Sequence, residues 1–291
     1  MSERAASSTA VLVCQGRAVA HGRHAVGVFS DPVAQDLLDD DERALVEAAR
    51  AGHPPRERSQ RMGYELLWRT GILVVPRTVV IDRAVVEHAA PQVVVLGAGL
   101  DARAWRMPEL GGSSVFEVDH PASQRDKQRR LAGRAPTAAR VLPVAVDLAH
   151  ERLGPALTAA GFDPSLATTW VWEGVVPYLD GNAVRATVRQ LAELSAAASL
   201  LVVSYQSRSV AALVMRRLMR GVMRVSGQAD PLAGEPWRST WSSTAMRSLL
   251  SDNGFDVRSD DDLLTLAAGL GLPPEGNASL RNGRVALAVR S

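Results

Sequence analysis

The pattern of apolar residues changes character about a third of the way along the chain. Before that point Ala, Leu and Val recur at helical spacing, which predicts a helical segment over residues 1–88. One helix is predicted around Val33–Ala49, where Asp31-Pro32 provides a cap followed by a first-turn proline. A second is predicted over Arg77–Ala90, and the His-, Pro- and Arg-rich residues 52–59 between them predict a loop.

Further along, short runs of β-branched and other apolar residues alternate with helical patterns. This alternation predicts a mostly parallel α/β sheet with helices on both faces. The last two strand signals are weaker and predict an antiparallel hairpin at the sheet edge. The predicted strands are Gln92–Leu96, Ser114–Val118, Val141–Val146, Thr168–Trp172, Leu200–Tyr205, Phe255–Arg258 and Arg284–Arg290. The predicted helices among them are Ala102–Leu110, Pro121–Gly133, Glu151–Ala160 and Ala183–Ala197.

Residues 206–241 fit neither pattern. They contain a helix-like run, Ser209–Val225, with Met215, Met219 and Met223 on one face. Methionines at this spacing indicate either a surface helix packed on the core or an adaptable apolar lid over a substrate. Both interpretations stay open at this stage.

Composition restricts the class of protein. With 291 residues, 46% of them hydrophobic and 22% charged, the chain has globular composition, and we treat it as a single domain. The formal net charge of +2 does not indicate a nucleic-acid binder. Cys14 is the only cysteine, which excludes an intrachain disulfide and a cysteine metal cluster. Lys127 is the only lysine, so nearly all the basic residues are arginine, which suggests high-GC coding and a bacterial source.

No apolar run is long enough for a signal-peptide core or for a transmembrane helix. We therefore expect a cytoplasmic protein that binds neither a membrane nor a nucleic acid. No residues are assigned to a metal, and the sequence does not predict an oligomeric state.

The strongest candidate for chemistry is a glycine turn between a strand and a helix. Gly97 and Gly99 follow the first predicted strand, where missing side chains let a backbone approach a ligand closely. Asp119 lies 22 residues after Gly97, at the end of the next strand, where a carboxylate can accept both hydroxyls of an adenosine ribose. The arrangement indicates an adenosine-containing ligand, while glycines needed only to pack a tight turn would give the same pattern.

Two kinds of adenosine ligand fit this turn. Ala102 completes a Gly-x-Gly-x-x-Ala pattern of the type found in dinucleotide sites. S-adenosylmethionine (SAM) carries no phosphate, however, and Asp101 at the helix start would repel a pyrophosphate but not a sulfonium cation. The turn thus favours SAM, with an NAD(P)-dependent oxidoreductase and a non-catalytic SAM-binding protein as alternatives.

Three motifs occur in order: GAGLDARAWR at Gly97–Arg106, FEVDHP at Phe116–Pro121 with Lys127, and WVWEGVVPY at Trp170–Tyr178. Together they resemble the leucine carboxyl methyltransferase family, whose bacterial members include natural-product O-methyltransferases of the tetracenomycin carboxyl-methylating type. The resemblance covers residues 10–205, and Ala102 departs from it, since the family usually has threonine there.

The resemblance implies a class I SAM-methyltransferase fold with a mostly parallel, seven-stranded, Rossmann-like sheet. Residues 1–88 would form an N-terminal helical extension and residues 89–205 the SAM-binding core. Residues 206–241 would form a helical lid inserted after the fifth strand, and residues 242–291 a C-terminal helix and edge strands.

The resemblance also implies roles for single residues. Arg77 matches an arginine that pairs with the methionine carboxylate of SAM, and Arg17 a basic residue that reaches the same group. Asp119 would hold the ribose, and Glu173 would lie near the SAM amino group. As alternatives, Arg77 could be a surface residue and Tyr178 a core residue. The implied cofactor-binding residues are Arg17, Arg77, Gly97, Ala98, Gly99, Asp119, His120, Asp147, Leu148, Glu173 and Tyr178.

The implied reaction moves a methyl group from SAM to an oxygen of a small molecule, such as a polyketide-type natural product, and leaves S-adenosylhomocysteine. A carboxylate acceptor, with a pKa of about 4, needs no general base, whereas a phenol, with a pKa of about 10, would need one. The histidines are scattered and occur in no catalytic motif. His120 and Tyr178 are the candidate catalytic residues, and a carboxylate acceptor is favoured over a hydroxyl.

Overall fold

A computed structural model describes residues 7–52, 54–207, 237–272 and 277–291. Its strands are β1 (Gln92–Leu96), β2 (Ser114–Asp119), β3 (Arg140–Ala145), β4 (Thr168–Trp172), β5 (Leu200–Gln206), β6 (Phe255–Asp262) and β7 (Gly283–Arg290). Within the described residues they form one seven-stranded sheet in the order β3-β2-β1-β4-β5-β7-β6. The number of strands agrees with the prediction, and the five parallel strands start and end within one residue of their predicted bounds. The helices predicted over Pro121–Gly133 and Glu151–Ala160 agree to within two residues, but those predicted over Ala102–Leu110 and Ala183–Ala197 end four and three residues earlier than expected, at Arg106 and Leu194.

Helices surround this sheet. They are α1 (Ser8–Ala20), α2 (Asp40–Ala51), α3 (Arg58–His88), α4 (Arg103–Arg106), α5 (Pro121–Leu131), α6 (Leu153–Ala159), α7 (Gly181–Leu194), α8 (Ser243–Asp252), α9 (Leu263–Gly269) and α10 (Asn277–Asn282). Short 3-10 helices occupy Pro108–Gly112 and Val176–Tyr178. None of the helices in the described ranges is long and apolar enough to cross a membrane.

Strands β1 to β5 run parallel, and β7 runs antiparallel to both of its neighbours. The predicted mostly parallel sheet is thus confirmed, and so is the antiparallel pairing of the last two strands. The expectation that both lie at the edge is wrong for β7, which is inserted between β5 and β6. The two strands are not a hairpin either, because α9 and α10 separate them in the chain.

The core has two main parts, one on each face of the sheet. The alternation of side chains along β1 divides that strand between them, with Val93 and Val95 on one face and Val94 and Leu96 on the other. The first face packs against the N-terminal helices and includes Cys14. The second packs against α6, α7 and α8. The N-terminal extension is therefore built onto the same core as the sheet.

Helix α3 is more than twice as long as the helix predicted over Arg77–Ala90. It covers 31 residues and passes through Pro76 without ending. A proline lacks the N–H of a helical hydrogen bond and usually ends or kinks a helix, so the sequence pattern placed the start after it. The buried residues Val75 and Val79 flank Pro76, and their packing holds the helix together across the proline. The predicted loop at residues 52–59 is correspondingly shorter and ends where α3 begins.

The predicted helix start at Asp31-Pro32 is wrong. Residues after Pro32 form turns, and α2 begins only at Asp40, where the carboxylate of Glu42 accepts the N–H of Asp39. Asp31 is buried and serves a different purpose: it accepts the N–H of Ala34 and faces two arginines described below. An aspartate followed by a proline looks the same in the sequence whether it caps a helix or is buried against arginines.

In the described parts of the C-terminal residues 242–291 the structure has three helices, α8, α9 and α10, where a single helix was expected. The predicted lid helix Ser209–Val225, with its methionines, lies outside the described residues. The described chain resumes at Trp237 and returns to the sheet at Trp241, whose N–H donates to the carbonyl of Gln206 at 2.9 Å.

Candidate cofactor site

A cavity of about 360 Å³ lies beyond the carboxyl ends of β1, β2, β3 and β4. This is the edge at which open α/β sheets bind ligands, and the volume falls within the usual range for small-molecule sites. All eleven residues predicted to bind the cofactor line it. They are Arg17, Arg77, Gly97, Ala98, Gly99, Asp119, His120, Asp147, Leu148, Glu173 and Tyr178.

The glycine turn forms the floor of the cavity. Both glycines have positive φ, +64° for Gly97 and +45° for Gly99, which disfavours other residues. A Cβ on Gly97 would clash with Cγ2 of Val175, and one on Gly99 would lie 3.1 Å from Cβ of Ala10. The conformation and packing of the turn are therefore sufficient reason for both glycines, although both also line the cavity.

Asp119 ends β2, as predicted, and its carboxylate is held by the backbone. Its Oδ2 accepts the N–H of Gly99 at 2.5 Å, and its Oδ1 accepts the N–H of His120 at 2.6 Å. Carboxylate oxygens accept more than one hydrogen bond each, so both keep capacity for a ligand hydroxyl. The backbone thus orients a carboxylate at the glycine turn.

Glu173 follows β4 and bonds to two arginines. Its Oε1 accepts from Nε of Arg77 at 2.7 Å, and its Oε2 accepts from Nη2 of Arg103 at 2.8 Å. The resemblance implies that Arg77 binds the carboxylate of SAM and that Glu173 lies near its amino group. In the structure these two side chains also bind each other. Arg103 had no assigned role, although it belongs to the first motif, because nothing in its spacing shows that it is buried.

These residues are part of a larger charged cluster between the cavity and the N-terminal helices. Arg103 is 1% exposed and also bonds to Asp82 at 2.7 Å and to Asp101. Arg106 pairs with Asp82 at 2.7 Å. Among the described residues the cluster contains equal numbers of arginines and carboxylates, namely Arg17, Arg77, Arg103, Arg106, Asp31, Asp82, Asp101 and Glu173.

The arginines of the cluster favour the ionised form of Glu173 and Asp101, the two of its carboxylates that line the cavity. Burial favours a higher pKa for Glu173, but Arg103, Arg77 and Arg17 outweigh it and lower that pKa well below its ordinary value. Burial favours a higher pKa for Asp101 as well, but Arg103, Arg17 and Lys127 together outweigh it and lower that pKa. Because Arg103 balances the charge of Asp101, the repulsion of a pyrophosphate by Asp101 is a weaker argument than the sequence suggested.

Arg17 is the residue whose surroundings most directly favour an anionic ligand. It is 4% exposed and lines the cavity from α1. Its Nη2 donates to the carbonyl of Leu100 at 3.4 Å, and its Nε lies 3.7 Å from Asp31, beyond hydrogen-bond distance. Nε and Nη1 have no hydrogen-bond partner among the described residues. Buried guanidinium donors without partners are costly, and a carboxylate would satisfy them, so the site fits the methionine end of SAM.

The remaining predicted residues lie on loops after the strands. The ring of His120 caps α5, with Nδ1 accepting the N–H of Ala122 at 3.2 Å. Asp147 accepts the N–H of Ala149 at 2.9 Å and so caps the turn that follows β3. Tyr178 is half-buried at the cavity wall rather than in the core. Thr9, Ala10 and Val13 of α1 and the distant Arg238 also line the cavity, and no motif in the sequence indicated them.

Comparison with known proteins gives a consistent result. The leucine carboxyl methyltransferase family model matches residues 10–192. A Streptomyces coelicolor protein, provisionally named an S-adenosyl-L-methionine-dependent methyltransferase, is 33% identical over 270 residues, covering 83% of this chain and 86% of its own. A Mycobacterium protein (strain MCS) with the same name is 34% identical over 189 residues, covering 63% of this chain and 73% of its own.

Solved structures support the fold alone. A crystal structure described as a methyltransferase, from Thermobifida fusca, is 17% identical, with a TM-score of 0.53, covering 88% of this chain and 92% of that one. A DUF574 family protein from Streptomyces avermitilis is 15% identical, with a TM-score of 0.53, covering 98% of both chains.

The fold and its cavity define a class I SAM-dependent methyltransferase. Within that class, the chain belongs to the leucine carboxyl methyltransferase family. SAM is accordingly its cofactor, and the oxidoreductase and non-catalytic alternatives are set aside. The relatives are bacterial, in agreement with the source inferred from the arginine-rich composition.

Proposed function

We propose that this methyltransferase transfers the methyl group to a carboxylate oxygen of a small-molecule acid. The observation that carries the proposal is that the carboxylates and the histidine lining the cavity already have hydrogen-bond partners. Asp101 and Glu173 bind arginines, while Asp119 and Asp147 accept backbone N–H groups. Carboxylates held in this way are poor bases for removing a proton from a hydroxyl.

His120 is the histidine at the cavity within the described residues. Since its Nδ1 accepts the N–H of Ala122, the neutral ring carries its proton on Nε2. That nitrogen offers a donor, not a base, to a bound acceptor. An acid that is ionised before it binds requires no proton removal, which favours a carboxylate over a phenol or an alcohol.

The cofactor roles follow from the same contacts. Asp119, oriented by two backbone N–H groups, would accept the ribose hydroxyls above the glycine turn. Arg17 and Arg77 would hold the methionine carboxylate, and Glu173 would fix Arg77 while offering its remaining lone pairs to the amino group. Asp147 and Leu148 would flank the adenine, and Tyr178 and His120 would complete the wall.

Bound SAM supplies an activated methyl group on a positively charged sulfur. The residues around the cavity contribute by holding the reactants in line, an effect worth about 7–11 kcal/mol in favourable cases. Helix α1 covers one side with Ala10 and Val13, and Leu179 lies on the wall after β4. These apolar surfaces would reduce the access of water to the space in which the carboxylate of the acceptor approaches the sulfonium group of SAM.

Calorimetric titration with S-adenosylhomocysteine and with NADH tests the cofactor, and we expect binding of the first alone. Labelled SAM is then incubated with paired acids and phenols, including aromatic polyketide acids. A carboxylate acceptor gives a methyl ester, whose label is released by mild alkali, whereas a methyl ether keeps it. Label that is stable to alkali, or transfer only to the phenols, would contradict carboxyl methylation.

A further inference from the structure

We propose that Arg238 binds the carboxylate of the acceptor and so makes the enzyme select acids over neutral molecules of the same shape. This inference rests on the proposed function and assigns it a specificity residue. Arg238 lines the cavity from the segment that follows the undescribed residues 208–236. It lies there with Tyr178 and Leu179, which belong to the loop after β4.

The backbone holds Arg238 firmly against that loop. Its N–H donates to the carbonyl of Pro177 at 2.7 Å, and the N–H of Ser239 donates to the same oxygen at 3.3 Å. The hydroxyl of Ser239 donates to the carbonyl of Val176 at 3.0 Å. Because Glu173 begins the same loop, the position of Arg238 is fixed relative to the cofactor-binding residues.

Trp241 secures the other end of the segment. It is 7% exposed, and its backbone N–H donates to the carbonyl of Gln206 at the end of β5. Its ring N–H donates to the hydroxyl of Ser239 at 3.3 Å, and the guanidinium of Arg185 lies 5.0 Å from the ring centre. An exposed side chain on so well-fixed a backbone loses little entropy when it binds a ligand.

The guanidinium of Arg238 is available to a ligand. Within the described ranges it makes no hydrogen bond and no ion pair, unlike Arg77. Asp180 feels the charge of Arg238, but its Oδ1 caps α7 by accepting the N–H groups of Asn182 and Ala183. Among the arginines that line the cavity, Arg77 is thus bonded to Glu173 and Arg17 lies near Asp31, whereas Arg238 is paired with no carboxylate of the described residues.

A carboxylate suits this third cation because an arginine donates to it in a planar, paired geometry. Transfer of the methyl group joins a carboxylate oxygen to the methyl carbon as the carbon–sulfur bond breaks and its electron pair passes to sulfur. The ester that results is neutral. Arg238 would therefore favour the acid over its own product and assist release of the ester.

The test uses the full chain saturated with S-adenosylhomocysteine, which occupies the methionine end and its arginines. Paired probes, aromatic and aliphatic acids such as 1-naphthoate and their primary amides, are titrated by calorimetry. The variants are Arg238→Gln, Arg238→Lys and the control Arg247→Gln, which removes an exposed arginine of α8 that does not line the cavity.

We expect Arg238→Gln to weaken binding of the acids by about tenfold and to leave the amides unchanged, since a charged hydrogen bond near solvent contributes modestly. Arg238→Lys should be intermediate and Arg247→Gln neutral. Equal binding of acids and amides by the unmodified chain, no binding of either, or acid binding unaffected by Arg238→Gln would each overturn the inference. Failure of S-adenosylhomocysteine to bind would instead refute the cofactor roles proposed above.

Discussion

Nη2 of Arg103 lies 2.8 Å from Oε2 of Glu173 and joins the start of α4 to the end of β4. From this position the guanidinium also bonds to Asp82 on α3 and to Asp101 after the glycine turn. Three parts of the chain that surround the cavity are therefore held by one side chain. Oε1 of Glu173 accepts from Arg77, which lines the cavity, whereas Arg103 does not line it. Arg103 therefore orients the carboxylate of Glu173 from the side away from the cavity.

Replacing Arg103 should destabilise the fold more than a surface change would. Arg103→Gln removes one arginine partner from each of Asp82 and Glu173 and the bonded partner of Asp101, and removing one member of a buried ion pair typically costs about 3–5 kcal/mol. Urea unfolding measures the change. Glu173→Gln in the same chain should recover part of the loss, because it removes one of the negative charges that Arg103 had neutralised. If the changes in unfolding free energy of Arg103→Gln and Glu173→Gln simply add in the double variant, the contact between Arg103 and Glu173 does not contribute to stability.

Replacing a glycine of the turn should lower the free energy of unfolding for two reasons, backbone conformation and packing, and the two effects can be measured separately. Gly97→Ala should cost about 2–5 kcal/mol, because alanine is strained at positive φ and its Cβ clashes with Val175. Val175→Ala in the same chain should recover the packing part. Gly133→Ala is the matched control, since Gly133 has φ +79° and open space around it, and should show the conformational cost alone. Equal unfolding energies for the two alanine variants would exclude the clash.

Asp119 should affect cofactor binding far more than stability. Asp119→Ala is expected to weaken S-adenosylhomocysteine binding by about 10–100-fold, because charge-assisted hydrogen bonds contribute roughly 1.5–3 kcal/mol. Asp119→Asn keeps the shape of the side chain, and its affinity for S-adenosylhomocysteine should lie between those of the original chain and Asp119→Ala. Titration calorimetry gives the affinities and a thermal melt checks the fold. Unchanged affinity in a folded Asp119→Ala variant would disprove the ribose assignment.

Cys14 provides a reporter for α1, which covers one side of the cavity. The thiol is buried and donates to the carbonyl of Ala34, and burial raises its pKa to about 12. Since the thiolate is the reactive form, labelling by a disulfide reagent at about pH 8 requires α1 to open. Ligand that contacts α1 should slow labelling, by up to about 100-fold at 100 times its Kd.

The unfolded chain and a Cys14→Ala variant give the upper and lower limits of that labelling rate. If S-adenosylhomocysteine binds and the rate stays the same, the ligand makes no use of α1, and the role proposed for Arg17 is wrong.

Glu117 predicts a dependence of stability on pH. It is buried in β2, 2.7 Å from the ammonium of Lys127, and burial raises its pKa from 4.5 to about 7 against the opposing effect of that charge. The folded state therefore binds a proton more tightly than the unfolded chain. Its contribution to stability is greatest below pH 4.5 and declines as pH rises to about 7.

Glu117→Gln removes this contribution while keeping an acceptor for Lys127. The melting temperature of the variant relative to the original chain should rise between about pH 5 and pH 8. A constant difference across that range would mean that Glu117 is ionised throughout.

Local sequence determined most of the architecture. Strands β1 and β4 were predicted with their observed ends, because a run of buried β-branched residues bounded by turn residues specifies a central strand by itself. The glycine turn and Asp119 could be located because both lie immediately next to such strands. Where local rules were ambiguous they failed, as at Pro76 within α3 and at Asp31, since packing from distant residues decides such cases.

Tertiary structure alone decided how the charges pair. Arg77 and Arg103 lie 96 and 70 residues from Glu173 along the chain, and no periodicity links residues so far apart. The chain has many arginines of identical local character, and only folding selects which of them lose water and meet a carboxylate. The placement of α1 at the cavity follows the same rule, because burial in a shared core brings it there. Arg238 reaches the cavity through backbone hydrogen bonds to Pro177, a residue distant in the sequence.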